Sequence, residues 1–157
     1  MPRIALDAMG ADDGPFVELD AAARVLAATG DYLSLILVGD AVILAPELRR
    51  RGIAGKVTIT HAADAITMDD SPVQAALAKP SSSMRACFEL LRAAEVDAVV
   101  SAGNSGAMVT LATLICGRVP GALRACLAAA IPTAAGPLVI CDIGANVRPR
   151  PEMLAQF

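Results

Sequence analysis

The sequence predicts an α/β fold built around a mostly parallel sheet. Apolar runs of strand length alternate along the chain with longer segments of helical spacing. The strand runs lack the in–out alternation of a half-exposed sheet, which indicates that helices cover both of its faces. The 157 residues are rich in aliphatic side chains and contain only 3% aromatic residues, which suits helices packed closely on a sheet. Because this length is sufficient for one domain with a hydrophobic core, we expect residues 1–157 to form a single α/β domain.

Six apolar runs carry the strand predictions. In chain order they are 4–6, 33–38, 56–60, 97–101, 126–131 and 138–142. The second is a continuous apolar run, and the fourth contains the β-branched pair Val99 and Val100. The fifth is rich in alanine, which is a weaker signal for a strand. No internal repeat or low-complexity linker interrupts this series.

Segments with helical spacing lie between the strands. The predicted helices are 17–28, 41–51, 72–79, 83–94 and 105–117. Gly30 and Gly52 lie just past the first two, where glycine commonly ends a helix. Residues 151–157 predict the first turns of another helix, with the apolar Phe157 at the last position. We therefore expect the chain to be the N-terminal half of a longer protein.

Charge and cysteine content exclude several classes of protein. The formal net charge is −3 and the basic residues form no stripe, so nucleic acid is not an expected partner. The four cysteines are widely spaced and His61 is the only histidine, which argues against a metal site and favours free thiols in a reducing cytoplasm. The first residues show no signal-peptide pattern, and no apolar run approaches the roughly 20 residues of a membrane-spanning helix. A cytoplasmic protein is the expectation.

The most informative segment is the loop 101–107, Ser-Ala-Gly-Asn-Ser-Gly-Ala. It joins a predicted strand to a predicted helix, an arrangement that directs free backbone N–H groups and the positive end of a helix at one point. Its glycines permit close approach of the backbone, and Asn104 and Ser105 add side-chain hydrogen bonds. The loop therefore predicts a phosphate site, and the alternative is an ordinary tight turn with a Ser or Asn cap.

Two other strand ends carry polar, glycine-containing loops, 7–15 and 142–146. In a parallel sheet all three loops open on the same edge, where ligands bind. Asp7 and Asp142 each follow an apolar strand, where a carboxylate is costly unless it is hydrogen-bonded. Each of them either fixes its own loop or takes a direct ligand or catalytic role. The segment 79–85, with Lys79, three serines and Arg85, predicts either a second phosphate contact or an exposed Ser N-cap.

No side-chain nucleophile is evident. The chain has no G-x-S-x-G elbow, and His61 lacks an evident Asp or Ser partner in the sequence. The glycine-rich turns match neither the dinucleotide fingerprint G-x-G-x-x-G nor the P-loop. The residues by themselves therefore indicate an α/β protein with an anion-binding edge, and no cofactor is expected.

Several motifs, taken together, resemble the phosphate acyltransferase (PlsX) family of bacterial phospholipid synthesis. They are I-A-L-D-A-M-G-A-D at 4–12, S-S-M-R at 82–85, D-A-V-V-S-A-G-N-S-G-A at 97–107, I-P-T at 131–133, D-I-G-A-N-V at 142–147 and P-E-M-L-A-Q-F at 151–157. They occur in the family's order and at similar spacing over essentially the whole chain. Several motifs in register are far more specific than any one of them.

The resemblance implies an enzyme that transfers a long-chain acyl group from acyl carrier protein to inorganic phosphate, giving an acyl phosphate. It also implies a three-layer α/β/α sandwich similar to isocitrate dehydrogenases and phosphotransacetylases, and a homodimer when the protein is complete. Because phosphate is the nucleophile, no Ser or Cys nucleophile is needed.

The resemblance further assigns residues to the expected site. The catalytic candidates are Asn104, Ser105 and Asp7. The phosphate-binding candidates are Ser101, Gly103, Asn104, Ser105 and Gly106, with Ser82, Ser83 and Arg85 as additional contacts. The candidates for the walls of the substrate cleft are Met9, Gly10, Asp12, Asp142, Gly144 and Asn146.

This sequence also departs from the family pattern. Ala11 and Ser105 stand where Gly and Thr are usual, and Arg148 and Arg150 stand where an acidic residue and a Lys are common. Family members are about twice as long, and their second half carries the apolar helical tip through which peripheral membrane contact is expected. Two alternatives therefore stay open: an inactive phosphate-binding fragment or interaction module, and a phosphotransacetylase-like enzyme that uses a short acyl-CoA.

Overall fold

The computed structural model describes residues 1–146 and 148–157, which form two compact units, Met1–Cys116 and Gly117–Phe157. The elements of the first unit are β1 (Arg3–Asp7), α1 (Phe16–Thr29), β2 (Ser34–Gly39), α2 (Ala41–Arg50), β3 (Val57–His61), α3 (Pro72–Ala78), α4 (Ser83–Arg92), β4 (Ala98–Val100) and α5 (Ser105–Leu111). A short 3₁₀ turn, Gly30–Tyr32, follows α1, and a π-helical segment, Ala112–Cys116, continues α5. Each predicted strand and helix of this unit is found within a few residues of its predicted position.

The four strands form one parallel sheet in the order β3-β2-β1-β4. Ala5 at the centre of β1 lies opposite Ile36 of β2 and Val99 of β4, which sets the register. The chain leaves β1 towards β2 and β3 and then returns to add β4 on the other side of β1. The direction of winding therefore reverses between β1 and β4, and in open α/β sheets ligands bind at the carboxyl ends of the strands at such a reversal.

Helices cover both faces of this sheet. On one face α1 and α2 bury a cluster with the strands, made of Ala8, Leu19, Ala22, Leu26, Leu35, Leu37, Leu44, Leu48 and Ile53. On the other face Ala5 of β1 and Val38 of β2 pack with Cys87 of α4. Because successive strand residues point to opposite faces, Leu37 and Val38 are both buried, in different clusters. The predicted three-layer fold with a mostly parallel sheet is confirmed.

An ion pair joins the starts of β1 and β4 at the opposite edge of the sheet. Asp97 accepts hydrogen bonds from the backbone N–H of Arg3 and from its guanidinium, both at 2.8 Å. These bonds with Arg3 lower the pKa of Asp97 to about 2. The pair anchors the short strand β4 beside β1.

The second unit contains β5 (Ala128–Thr133), β6 (Gly136–Cys141) and α6 (Pro151–Gln156). The two strands form an antiparallel hairpin, with Thr133 opposite Gly136. The strands predicted at 126–131 and 138–142 are present, but they pair with each other in a separate two-stranded sheet, so the loop 142–146 does not follow a strand of the parallel sheet. Only Ala134 and Ala135 separate the two strands, and parallel neighbours need a crossover of a dozen or more residues.

Within residues 1–146 and 148–157, none of the helices has the length and apolar character needed to cross a membrane.

Candidate functional site

A carboxylate–hydroxyl contact joins the ends of β1 and β4 at the point of reversal. Asp7, the last residue of β1, is fully buried, and its Oδ2 accepts a hydrogen bond from Ser101 Oγ at 2.8 Å. Its Oδ1 accepts from the Met9 N–H at 3.2 Å, and Ser101 Oγ accepts from the Gly103 N–H at 3.1 Å. A buried carboxylate is tolerated when its oxygens accept such bonds. Asp7 therefore holds the loops 7–15 and 101–107 against each other.

Two glycines touch where these loops meet. A Cβ added to Gly103 would lie 3.0 Å from the carbonyl oxygen and 3.1 Å from the Cα of Gly10. A Cβ added to Gly10 would lie 2.6 Å from Asp7 Oδ2. Glycine is needed at both positions because the two backbones approach each other more closely than a side chain allows.

The loop 101–107 presents backbone N–H groups at the start of α5. The N–H of Ala107 is bonded to Asn104 Oδ1 at 3.0 Å. Those of Ser105 and Gly106 have no acceptor in the part of the chain that the structure describes, as is usual for the first turn of a helix. Ser105 is exposed, and Gly106 packs against Pro72 at the start of α3. This arrangement can hold an anion through backbone donors.

The side chain of Asn104 is almost fully used in holding the structure together. It is 6% exposed, and its Oδ1 caps α5. Its Nδ2 donates to the carbonyl oxygens of Thr67 at 3.2 Å and Asp70 at 3.1 Å. Asn104 therefore connects the loop 101–107 to the segment before α3. The prediction that its side chain contacts phosphate stays a prediction, and in this geometry its amide hydrogens are already engaged.

A cavity of about 220 Å³ lies between the loop after β1 and this segment. Its lining residues are Met9, Gly10, Ala11, Asp12, Thr67, Met68 and Asp69. Three of them, Met9, Gly10 and Asp12, are residues that the sequence assigned to a substrate cleft. Since Gly10 also touches Gly103, the cavity lies directly beside the loop 101–107.

The outer wall of the cavity consists of residues 67–69, and an ion pair holds the segment that contains it. Lys79 Nζ donates to Asp70 Oδ2 at 2.7 Å and to the carbonyl oxygen of Ala65 at 2.8 Å. Asp70 Oδ2 also accepts from the backbone N–H of Thr67 at 2.8 Å. The hydrogen bond from Lys79 is the main reason why the pKa of Asp70 is lowered. In the sequence Lys79 stands out only as a cation near serines, because its partners lie 9 and 14 residues away.

A phosphate contact needs exposed groups, and the predicted contact residues at the start of α4 are buried or already bonded. Ser82 and Ser83 are fully buried, and their hydroxyls have no hydrogen-bond partner among the described residues. Arg85 bonds Glu89 at 3.2 Å and the carbonyl oxygen of Ala76 at 3.3 Å, so it connects α4 to α3. Their contact with phosphate stays a prediction.

Glu18 of α1 is a polar residue of the site region that was not among the predicted site residues. It is 4% exposed, whereas its apolar neighbours Phe16 and Val17 are 50% and 55% exposed. A Cβ added to Gly14 would lie 3.2 Å from Glu18 Oε2, so the carboxyl group lies under the turn that follows β1. Burial raises the pKa of Glu18, and the nearby charge of Asp7 adds to this shift. The sequence gave no sign of its burial, because local spacing does not show which face of the helix meets the turn after β1.

Comparison with known proteins decides the family. A sequence profile of the family described as "Fatty acid synthesis protein" matches residues 2–157. The chain belongs to this family. It is 41% identical over 158 residues to a phosphate acyltransferase of Oleidesulfovibrio alaskensis, and 44% identical over 156 residues to a phosphate acyltransferase of Pseudomonas fluorescens. These alignments cover 100% and 98% of the chain but only 45% and 46% of the two relatives.

The resemblance to phosphate acyltransferases that the motifs suggested is confirmed. This member of the fatty acid synthesis protein family spans about half the length of the curated relatives that it matches. A phosphate acyltransferase of Syntrophotalea carbinolica is 43% identical over 155 residues. This alignment also covers 98% of the chain but only 44% of the relative.

The third predicted loop, 142–146, lies in the second unit. Asp142 Oδ1 accepts from the backbone N–H of Asn146 at 3.1 Å and from its Nδ2 at 3.0 Å, while Asn146 Nδ2 also donates to the carbonyl oxygen of Ala125 at 3.0 Å. Gly144 has a φ of +113°, which favours glycine. These bonds fix the turn. Val147, the last residue of the predicted motif, lies outside the described residues, and a role of this loop in the substrate cleft stays a prediction.

Proposed function

We propose that this protein is an acyltransferase that moves a long-chain acyl group from acyl carrier protein to inorganic phosphate, and that the acyl phosphate serves phospholipid synthesis. The observation that carries the proposal is the contact of two glycine loops at the reversal of the sheet, with free N–H groups on one side and a cavity on the other. The relatives named phosphate acyltransferase support the reaction class.

The proposed chemistry needs positioning more than a protein nucleophile. A phosphate oxygen attacks the carbonyl carbon of the thioester, the C–S bond breaks, and the thiolate leaves and takes up a proton. The products are an acyl phosphate and the free thiol of the carrier. Most of the rate enhancement then comes from holding phosphate in line with the carbonyl and from donors that stabilise the oxyanion.

The loop 101–107 is the proposed phosphate site. Gly103 allows close approach, and Ser105 and Gly106 offer free backbone N–H groups. Asn104 supports this site by capping α5, and Asp7 supports it by holding Ser101. The proposed walls of the substrate cleft are Met9, Gly10 and Asp12. The contacts of Ser82, Ser83 and Arg85 with phosphate stay predictions.

The partners and the setting are proposals of the same kind. They are acyl carrier protein, a second copy of the complete protein, and a cytoplasmic location with peripheral membrane contact through the half that the relatives add. No metal ion and no cofactor enters the proposed reaction.

The deciding experiment measures phosphate-dependent release of carrier thiol from palmitoyl acyl carrier protein. In the complete protein we expect Asn104→Ala to lower turnover at least tenfold, because the substitution removes the support of the loop 101–107. Turnover by the 157-residue chain alone would show that it holds the whole catalytic apparatus. Gly103→Ala forces the two loops apart and is expected to remove phosphate binding. Gly55→Ala is the matched control, because a Cβ at Gly55 meets nothing within 4 Å.

The outcomes separate the alternatives. Thiol release that depends on phosphate and grows with acyl length supports the proposal. Phosphate binding by a folded chain without thiol release identifies a phosphate-binding module. A preference for short acyl-CoA over palmitoyl carrier identifies a phosphotransacetylase-like enzyme.

A further inference from the structure

The outer wall of the cavity, residues 67–69, is exposed. Hydrogen bonds from Asn104 and from Lys79 hold it in place. Asn104 Nδ2 holds the carbonyl oxygens of Thr67 and Asp70 from the side of the loop 101–107. Lys79, at the end of α3, holds the Asp70 carboxylate and the carbonyl oxygen of Ala65. The wall contributes Thr67, Met68 and Asp69 to the lining, so the width of the cavity depends on these two anchors.

The lining of the cavity suits a neutral, amide-bearing group better than a free anion. Asp12 and Asp69 are among its residues, and carboxylates repel phosphate but accept hydrogen bonds from amide N–H groups. Met9 and Met68 add flexible apolar surface beside them. A pantetheine arm combines these features, since it carries two amide groups and ends in the thioester sulfur.

We propose that this cavity takes the pantetheine thioester end of the acyl donor, and that Lys79, by holding Asp70, positions its outer wall. This inference rests on the proposed function, because the thioester carbonyl must lie next to the phosphate on the loop 101–107. The contact of Gly10 with Gly103 places the two subsites side by side. Lys79 is a positioning residue, which acts through residues 67–69.

The experiment measures binding of two separate probes by calorimetry, S-octanoyl-pantetheine and inorganic phosphate. We expect Lys79→Met to weaken binding of the pantetheine probe about tenfold and to change phosphate affinity less than about twofold. Lys79→Arg keeps a cation that can bond both Asp70 and Ala65 and is expected to restore the affinity to within about threefold. Arg50→Met is the matched control, since it removes an exposed ion pair with Glu47 on α2.

Each outcome decides one point. Absence of phosphate binding by the unmodified chain refutes the proposed function, whatever the pantetheine result. Phosphate binding without binding of the pantetheine probe overturns this inference and leaves the proposed function standing. Equal probe affinity in Lys79→Met and the unmodified chain overturns the role of Lys79, and so does a parallel loss of both ligands. If Lys79→Met does not fold, Asp70→Asn, which leaves the bond from Lys79 to Ala65, must show the same selective loss.

Discussion

The side chain of Asn104 has two structural roles, and two different substitutions can separate them. Its Oδ1 caps α5 by accepting the Ala107 N–H, and its Nδ2 donates to the carbonyl oxygens of Thr67 and Asp70. Asn104→Ser keeps an N-cap oxygen, because serine is as good a cap as asparagine, but it lacks the two amide donors. Asn104→Ala loses the cap as well.

The magnitudes follow from the hydrogen bonds. A typical intramolecular hydrogen bond contributes about 1 kcal/mol to stability, so the two bonds of Nδ2 predict a cost of about 2 kcal/mol for Asn104→Ser. Loss of the N-cap costs about 1 kcal/mol more, so Asn104→Ala should cost about 3 kcal/mol. The bonds join separate segments of the first unit, so this loss should appear in the global unfolding of that unit.

Urea denaturation monitored by circular dichroism measures these differences through the transition midpoint at constant slope. The expected order of stability is the unmodified chain, then Asn104→Ser, then Asn104→Ala. A Ser variant as stable as the unmodified chain would refute the claim that Asn104 holds the segment 67–70. Equal stability of the Ser and Ala variants would refute its role as the cap of α5.

Three further predictions concern the same unit. Gly10→Ala places a Cβ 2.6 Å from Asp7 Oδ2. This overpacking should lower the free energy of unfolding, measured by calorimetry, by about 1–3 kcal/mol. The raised pKa of Glu18 means that the folded state holds its proton more tightly than the unfolded state does. Stability should therefore fall as the pH rises through the ordinary Glu range and the raised value, and Glu18→Gln should lose this slope in thermal scans between pH 4 and pH 8. The pKa of Asp97, lowered to about 2 by Arg3, has the opposite sign. Its contribution should be present above the ordinary Asp pKa and be lost as the pH falls towards 2, so Asp97→Asn should flatten the acid limb of the stability curve.

The sequence alone predicted the architecture of the first unit because its signals are local. Continuous apolar runs require burial on both faces, and the glycine-rich segment 101–107 follows a β-branched strand directly. Motif order then pointed to the family, which the comparisons confirm over residues 2–157. The pairing of the strands at 126–131 and 138–142 could not be predicted from the sequence, and the structure pairs them as an antiparallel hairpin.

Tertiary structure alone decided which polar atoms are engaged. Asn104 stands in a motif typical of phosphate sites, but its amide bonds two carbonyl groups more than thirty residues away. Glu18 has apolar neighbours that are exposed while it is buried, and Lys79 bonds the wall of a cavity. Local sequence fixes backbone propensity and the pattern of burial, whereas hydrogen-bond partners depend on how distant segments meet across the sheet. That is why the sequence located the edge where a ligand would bind, and only the fold showed which side chains there are free and which hold the site together.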